Sequence, residues 1–218
     1  MFMPLLTSFL IFVAIVQIAI RKGNSREKQA NAEYFKKEHD ANFVRKKDLG
    51  DLDYIRIPLD RLPFGASPDN AEILDAETTV RSLADRKIVN LTGISNTDLK
   101  LKYGTANITP LSEYDANYLE LARALNKWGR ELYADGLYRE AGQVLTFAVE
   151  TRSDVSQTWH LYIDYIRFHA GLAPDEITQT LQSRLSIADS LDALSKEAIL
   201  EELHRGIDET VSSHPTDS

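Results

Sequence analysis

Residues 122–155 read ARALNKWGRELYADGLYREAGQVLTFAVETRSDV. Leu125, Trp128 and Leu132 recur at the alternating three- and four-residue spacing that places side chains on one helix face. Gly136 interrupts the period, and Tyr138, Ala141, Leu145 and Ala148 resume it. The stretch therefore predicts two helices joined by a tight turn. Upstream the same stripe continues through Leu111, Tyr114, Tyr118 and Leu121, so the first helix is long. Thr109 is its expected N-cap, with Pro110 at the first helical position, where a missing N–H costs nothing.

Small residues stand where two such helices would touch: Gly129, Ala141 and Ala148. With Leu125, Trp128, Leu132, Tyr133, Gly136, Tyr138 and Leu145, this pattern resembles a tetratricopeptide repeat, a 34-residue helical hairpin. The loop position that the family usually gives to proline is Ser153, and Asp154 is the expected cap of the next helix. A second unit starts near Ser156, with Trp159, Leu161, Tyr162, Ile163, Tyr165 and Ile166 in its first helix; Ile163 stands where the family has a small residue. Pro174 opens a further helix with Asp175 and Glu176 in its first turn, and Leu194 to Ile207 forms a last one. The resemblance is clear over 122–155 and weaker to about residue 190. It implies an all-α fold, a helical-hairpin bundle or short solenoid, spanning 72–207, with 208–218 as a flexible tail.

Upstream the chain changes character twice. Residues 49–71 carry Pro58, Pro63 and Pro68 within alternating apolar and polar positions, which predicts an extended strap rather than a central strand. Ile55, Ile57, Leu59, Leu62 and Phe64 are too apolar to stay in water and are expected on the following helices, unless the strap is itself a ligand for another protein. From Asn70, the residues Ile73, Leu74, Glu77, Val80, Arg81 and Leu83 predict a short helix, and a second short helix is expected to stop at Gly104. Residues 21–48 form a charged neck, predicted helical, with Tyr34, Phe35 and Phe43 as its apolar contacts.

Residues 1–20 contain no charged side chain and are followed by Arg21, Lys22, Arg26 and Lys28. About 20 apolar residues span a bilayer core, and the cationic flank favours the cytoplasmic side. The expectation is an N-terminal transmembrane helix, single-pass in the cell membrane, with the N-terminus outside and the C-terminal domain cytoplasmic. A cleaved signal would need a basic residue before the apolar core and small residues at its end, and both are missing. The sequons at Asn90 and Asn107 are then expected to carry no glycan. Residues 1–50 hold nine Lys/Arg against five Asp/Glu, a net of +4, and residues 51–218 hold 16 against 28, a net of −12. An acidic body argues against nucleic acid as a partner.

The chain has no cysteine, so disulfides and thiolate chemistry are excluded. It contains no phosphate-binding glycine loop and no nucleophile elbow. His160 and Asp164 share a helix face at four residues' spacing, but no third ligand is in view, so no metal and no cofactor is expected. The tetratricopeptide resemblance implies a peptide groove lined by Arg123, Asn126, Arg130 and Tyr133 of the first unit and His160, Asp164 and Arg167 of the second. Two arginines and an asparagine suit a carboxylate or an acidic peptide. The expected function is a membrane-anchored adaptor or scaffold without catalysis of its own, binding a membrane-associated protein or peptide. A structural subunit of a membrane complex and an enzyme with an unrecognised site are the alternatives.

Overall fold

The computed structural model describes Lys28 and residues 30–213. Among these residues the order is α1 (residues 30–42), α2 (Ala71–Leu83), α3 (Asn96–Tyr103), a 3-10 turn (Thr105–Asn107), α4 (Ile108–Ala134), α5 (Tyr138–Glu150), α6 (Ser156–Asp164), a π-helical segment (Tyr165–His169), α7 (Pro174–Asp189) and α8 (Lys196–Ser213). The only β pairing described is an isolated antiparallel bridge between Tyr54 and Val89. The all-α expectation holds for this body.

The membrane part of the expectation is corrected. Among the described residues no helix is long and apolar enough to cross a membrane. The longest, α4, has 27 residues, but it is apolar on one stripe only and carries Glu113, Asp115, Glu120, Arg123, Lys127, Arg130 and Glu131 around the rest. A spanning helix needs apolar side chains all round. The transmembrane architecture and the single-pass placement in the cell membrane, with a cytoplasmic body, are therefore set aside; residues 1–20, on which they rested, lie outside the described residues.

The chain divides into two compact units. The smaller comprises the described residues up to Asp48 together with Ser95–Ile108. It is stitched by polar contacts: Glu38 accepts from Thr97 Oγ1 and from Lys100 Nζ, Lys37 pairs with Asp98 at 2.7 Å, and Lys47 N–H donates to Tyr103 O at 3.0 Å. The Lys100 and Thr97 bonds hold the Glu38 carboxyl below its ordinary value. Asn107, fully buried, donates through Nδ2 to Lys47 O and Tyr103 O, so its sequon nitrogen is already committed to the backbone. The neck helix ends at residue 42, and 44–48 are non-helical, shorter than the expected helix to 48.

The larger unit holds Leu49–Ile94 and the chain from Thr109 onward. Its centre is Trp128, Trp159, Tyr118 and Tyr162, each almost wholly shielded from solvent. The strap packs on this core through Ile57 and Leu62, and Phe64 sits between the Trp128 ring (4.9 Å) and the Arg81 guanidinium (3.8 Å). The N–H of Gly65 donates to the buried Glu77 carboxylate at 2.8 Å, which accounts for an acid on the inner face of α2. Leu59, expected on the helices, is 41% exposed.

Three local boundaries also differ. α4 begins at Ile108, running straight on from the 3-10 turn, so Thr109 and Pro110 lie within the first helical turn and Thr109 is no cap. α6 is preceded by Val155 rather than capped by Asp154, whose carbonyl instead accepts from Ser195 Oγ at 2.7 Å. α8 runs on to Ser213 with Thr210 buried, beyond the expected end at residue 207.

Candidate partner-binding site

α4 and α5 form the hairpin that the small residues predict. A Cβ built on Gly129 would stand 2.7 Å from Leu145 Cδ2, so only glycine allows this approach, while Ala141 and Ala148 are fully packed. The turn between the helices uses Gly136 at φ +76°, a conformation that L side chains rarely adopt. A second close contact was not foreseen: the Tyr165 ring occupies the space where a Gly142 Cβ would be, locking α5 to the π segment. Ala170 N–H donates to Tyr165 O at 2.9 Å, the five-residue bond of a π turn.

The seven residues expected to line a groove fall into two groups. On α4, Arg123 is exposed, and Arg130, about half exposed, meets only its neighbour Glu131 at 2.6 Å. Asn126 bridges to α6, donating to Gln157 Oε1 at 3.2 Å and accepting from the buried Thr158 Oγ1 at 3.0 Å. Tyr133 contacts the rings of Tyr138 and His169, which stack on each other at 3.6 Å. Partial burial, reinforced by the Asp164 charge, pushes the Tyr133 phenol above its ordinary value and keeps it a donor.

On α6 and the π segment the picture is different. His160 Nδ1 lies 2.5 Å from Glu202 Oε1 and His160 Nε2 lies 3.5 Å from Asp164 Oδ2. Arg167 pairs with Glu209 at 2.7 Å and is only 16% exposed along its side chain. Glu202 and Glu209 belong to α8, so His160 clamps α6, and Arg167 the π segment that follows it, to a helix of the same chain. The two carboxylates beside His160 lie on opposite nitrogens of its ring and cannot share one ion with it; among the described residues no cluster suited to a metal occurs. The structure thus joins Asn126 to α6 and Tyr133 to the π segment, while His160 and Arg167 are engaged by α8.

Concave surface lies elsewhere, along the strap. A cleft of about 470 Å³ is lined by Pro58, Asp60, Arg61 and Leu62 on one side and by α5 residues including Gln143, Phe147 and Glu150 on the other. A cleft of about 270 Å³ continues from Phe147 and Glu150 to Asp53, Arg56 and Arg152. A third, of about 430 Å³, lies between residues 54–57 and 84–88. None of these clefts includes any of the seven expected residues. The alternating pattern of the strap was the available signal, since an extended segment laid across helices cannot fill the space between them as a helix does.

Between strap and hairpin, Arg152 adopts φ +61°, and its carbonyl accepts from the Tyr118 hydroxyl at 3.0 Å and Asn90 Nδ2 at 3.1 Å. Its guanidinium reaches Asp53 at 2.5 Å. Burial, with the nearby Asp154 and Asp115 charges, drives the Tyr118 phenol far above its ordinary value, so it remains a hydrogen-bond donor.

Compared with protein-family models, curated proteins and solved structures, the chain matches none.

Proposed function

We propose that the chain is a non-catalytic adaptor whose tetratricopeptide-like hairpin holds a peptide or protein segment on the outer face of α4. Arg123 and Arg130 stand two helical turns apart on that face, and neither is tied to another element among the described residues. That availability is the observation that carries the reading: guanidiniums with no partner on another helix, Arg130 being held only by the adjacent Glu131, can fork a carboxylate of an incoming segment. Asn126 and Tyr133 flank the pair and are held in place, by α6 and by the π segment respectively. His160 contributes by fixing α6, and Arg167 by fixing the π segment, against α8 rather than by touching the ligand.

The test is affinity capture with quantitative mass spectrometry, comparing the wild-type chain with the Arg123→Glu/Arg130→Glu variant. Loss of a defined set of co-purifying proteins, with unchanged thermal stability, is the expected result; an identical set from both chains would eliminate the α4 face as the binding site.

A second reading, as a subunit of a larger assembly, is favoured by the small unit. Phe35, His39 and Phe43 follow one another at four-residue spacing, and both phenylalanines are about 70% exposed. Exposed aromatics on a helix and the turn that ends it suit burial against another chain. Native mass spectrometry of the complex purified from cells, with and without Phe35→Ser/Phe43→Ser, distinguishes this reading by whether a stoichiometric partner is lost.

A further inference from the structure

The third cleft is lined by Tyr54, Ile55, Arg56 and Ile57 of the strap and by Ala84, Asp85, Arg86, Lys87 and Ile88 after α2. Three cations and one carboxylate thus surround about 430 Å³ of open space in a unit that is acidic overall. Several arginines of this unit find carboxylates within 4 Å, Arg152 with Asp53, Arg167 with Glu209 and Arg184 with Glu150, although others such as Arg123 do not. Among the described residues the side chains of Arg56 and Arg86 have no such counter-ion, and Lys87 Nζ meets only the faces of Tyr54 and Tyr114, at 5.5 and 5.6 Å.

The cations ride on fixed backbone. Ile55 N–H donates to Ile88 O at 2.9 Å, Val89 N–H to Tyr114 O at 3.3 Å, and Arg86 N–H to Leu83 O at 3.0 Å, while Asn117 Nδ2 donates to Lys87 O at 3.0 Å. Backbone held this way needs no ordering when a ligand arrives, which leaves only the side chains to be fixed. The walls also include the partly exposed Ile55 and Ala84, so apolar surface lies beside the positive charge and the cleft is more than a plain phosphate cradle. A free phosphate would use the cations and leave the apolar wall wet.

From this we infer that the cleft between residues 54–57 and 84–88 binds a short extended acidic peptide of a partner protein, its carboxylates on Arg56, Arg86 and Lys87 and its intervening apolar side chains against the apolar wall. The inference does not rest on the α4 face: it uses different residues, and either site can fail alone.

The experiment titrates the full-length chain into a fluorescein-labelled hexapeptide of alternating glutamate and leucine, read by fluorescence anisotropy. The expected result is saturable binding that weakens with added salt and falls at least tenfold in Arg56→Glu/Arg86→Glu, while Arg139→Glu, at an exposed arginine of α5, leaves it unchanged. Equal binding by the Arg56→Glu/Arg86→Glu variant would overturn the proposal, and so would equal binding of a lysine–leucine peptide. Displacement by inorganic phosphate or tripolyphosphate at concentrations below those of unlabelled peptide would overturn it too, because the ligand would then be a small anion. Should the charge-reversed variant unfold, arginine modification of the wild-type chain by phenylglyoxal decides: the peptide must protect Arg56 and Arg86 and leave the exposed Arg139 of α5 reactive, and absence of protection counts against the cleft.

Discussion

The α4–α5 contact and the α6–α8 contact join helices of one bundle by different means. α4 and α5 meet through Gly129, Ala141, Leu145 and Ala148, where close approach and dispersion do the work. α6, with the π segment that follows it, meets α8 partly through Ile163, packed near Gly206, and partly through two charged clamps, His160 with Glu202 and Arg167 with Glu209. The first contact tolerates no added atom, because the facing side chain is already in place. The second has a rim that can let go without emptying the core beneath it.

Gly129→Val is the sharpest way to break the tight contact. Its branches would collide with Leu145, and overpacking of this kind costs about 3 kcal/mol. Urea unfolding followed by circular dichroism should show a large fall in the midpoint with an unchanged slope. A variant as stable as the wild type would mean that the helices have room to separate, and the distinction between the two contacts would collapse.

Arg167→Ala tests the other contact. Arg167 is mostly shielded, but Glu209 is half exposed, so solvent screening leaves the pair about 1 kcal/mol at most. The same urea experiment should register a small shift, and hydrogen exchange should rise in α8 while α4 and α5 stay protected. Equal loss of protection in α4 would show that the clamps hold the whole bundle.

How much of this was readable beforehand follows the same division. The stripe from Leu111 to Leu132 and the small residues at 129, 141 and 148 are local signals: each residue states its own face by its distance from the next. The hairpin therefore appeared with Leu111, Tyr118, Leu121, Leu125, Trp128 and Leu132 buried as spaced. The clamps left no such trace, because Glu202 lies 42 residues from His160 and nothing in their spacing says that α8 returns to α6. Residues assigned to a groove by analogy were thus partly spent on an internal contact. The π segment was equally silent, since Tyr165–His169 contains neither proline nor glycine and its cause, the ring of Tyr165 over Gly142, is tertiary. The strap was legible as an apolar extended segment, but the clefts beside it depend on where it crosses the helices.

The smallest effect concerns Asp115, a half-buried carboxylate on the otherwise apolar-packed α4. Burial raises its carboxyl above the ordinary value, and the bond from Leu91 N–H, at 3.2 Å, opposes that only in part. Because the folded state holds this proton more tightly than the unfolded state, its contribution is fully present below the unfolded aspartate value, about 3.9, and is lost as pH rises through the raised folded value. At neutral pH the charge is therefore a cost that Asn avoids while keeping an oxygen for Leu91 N–H. Asp115→Asn should melt slightly above the wild type at pH 7, and the gap should close as the pH is lowered past the folded value. A gap of the opposite sign at pH 7 would mean that the Leu91 bond outweighs burial, and that α4, like α6, relies on charge to hold its place.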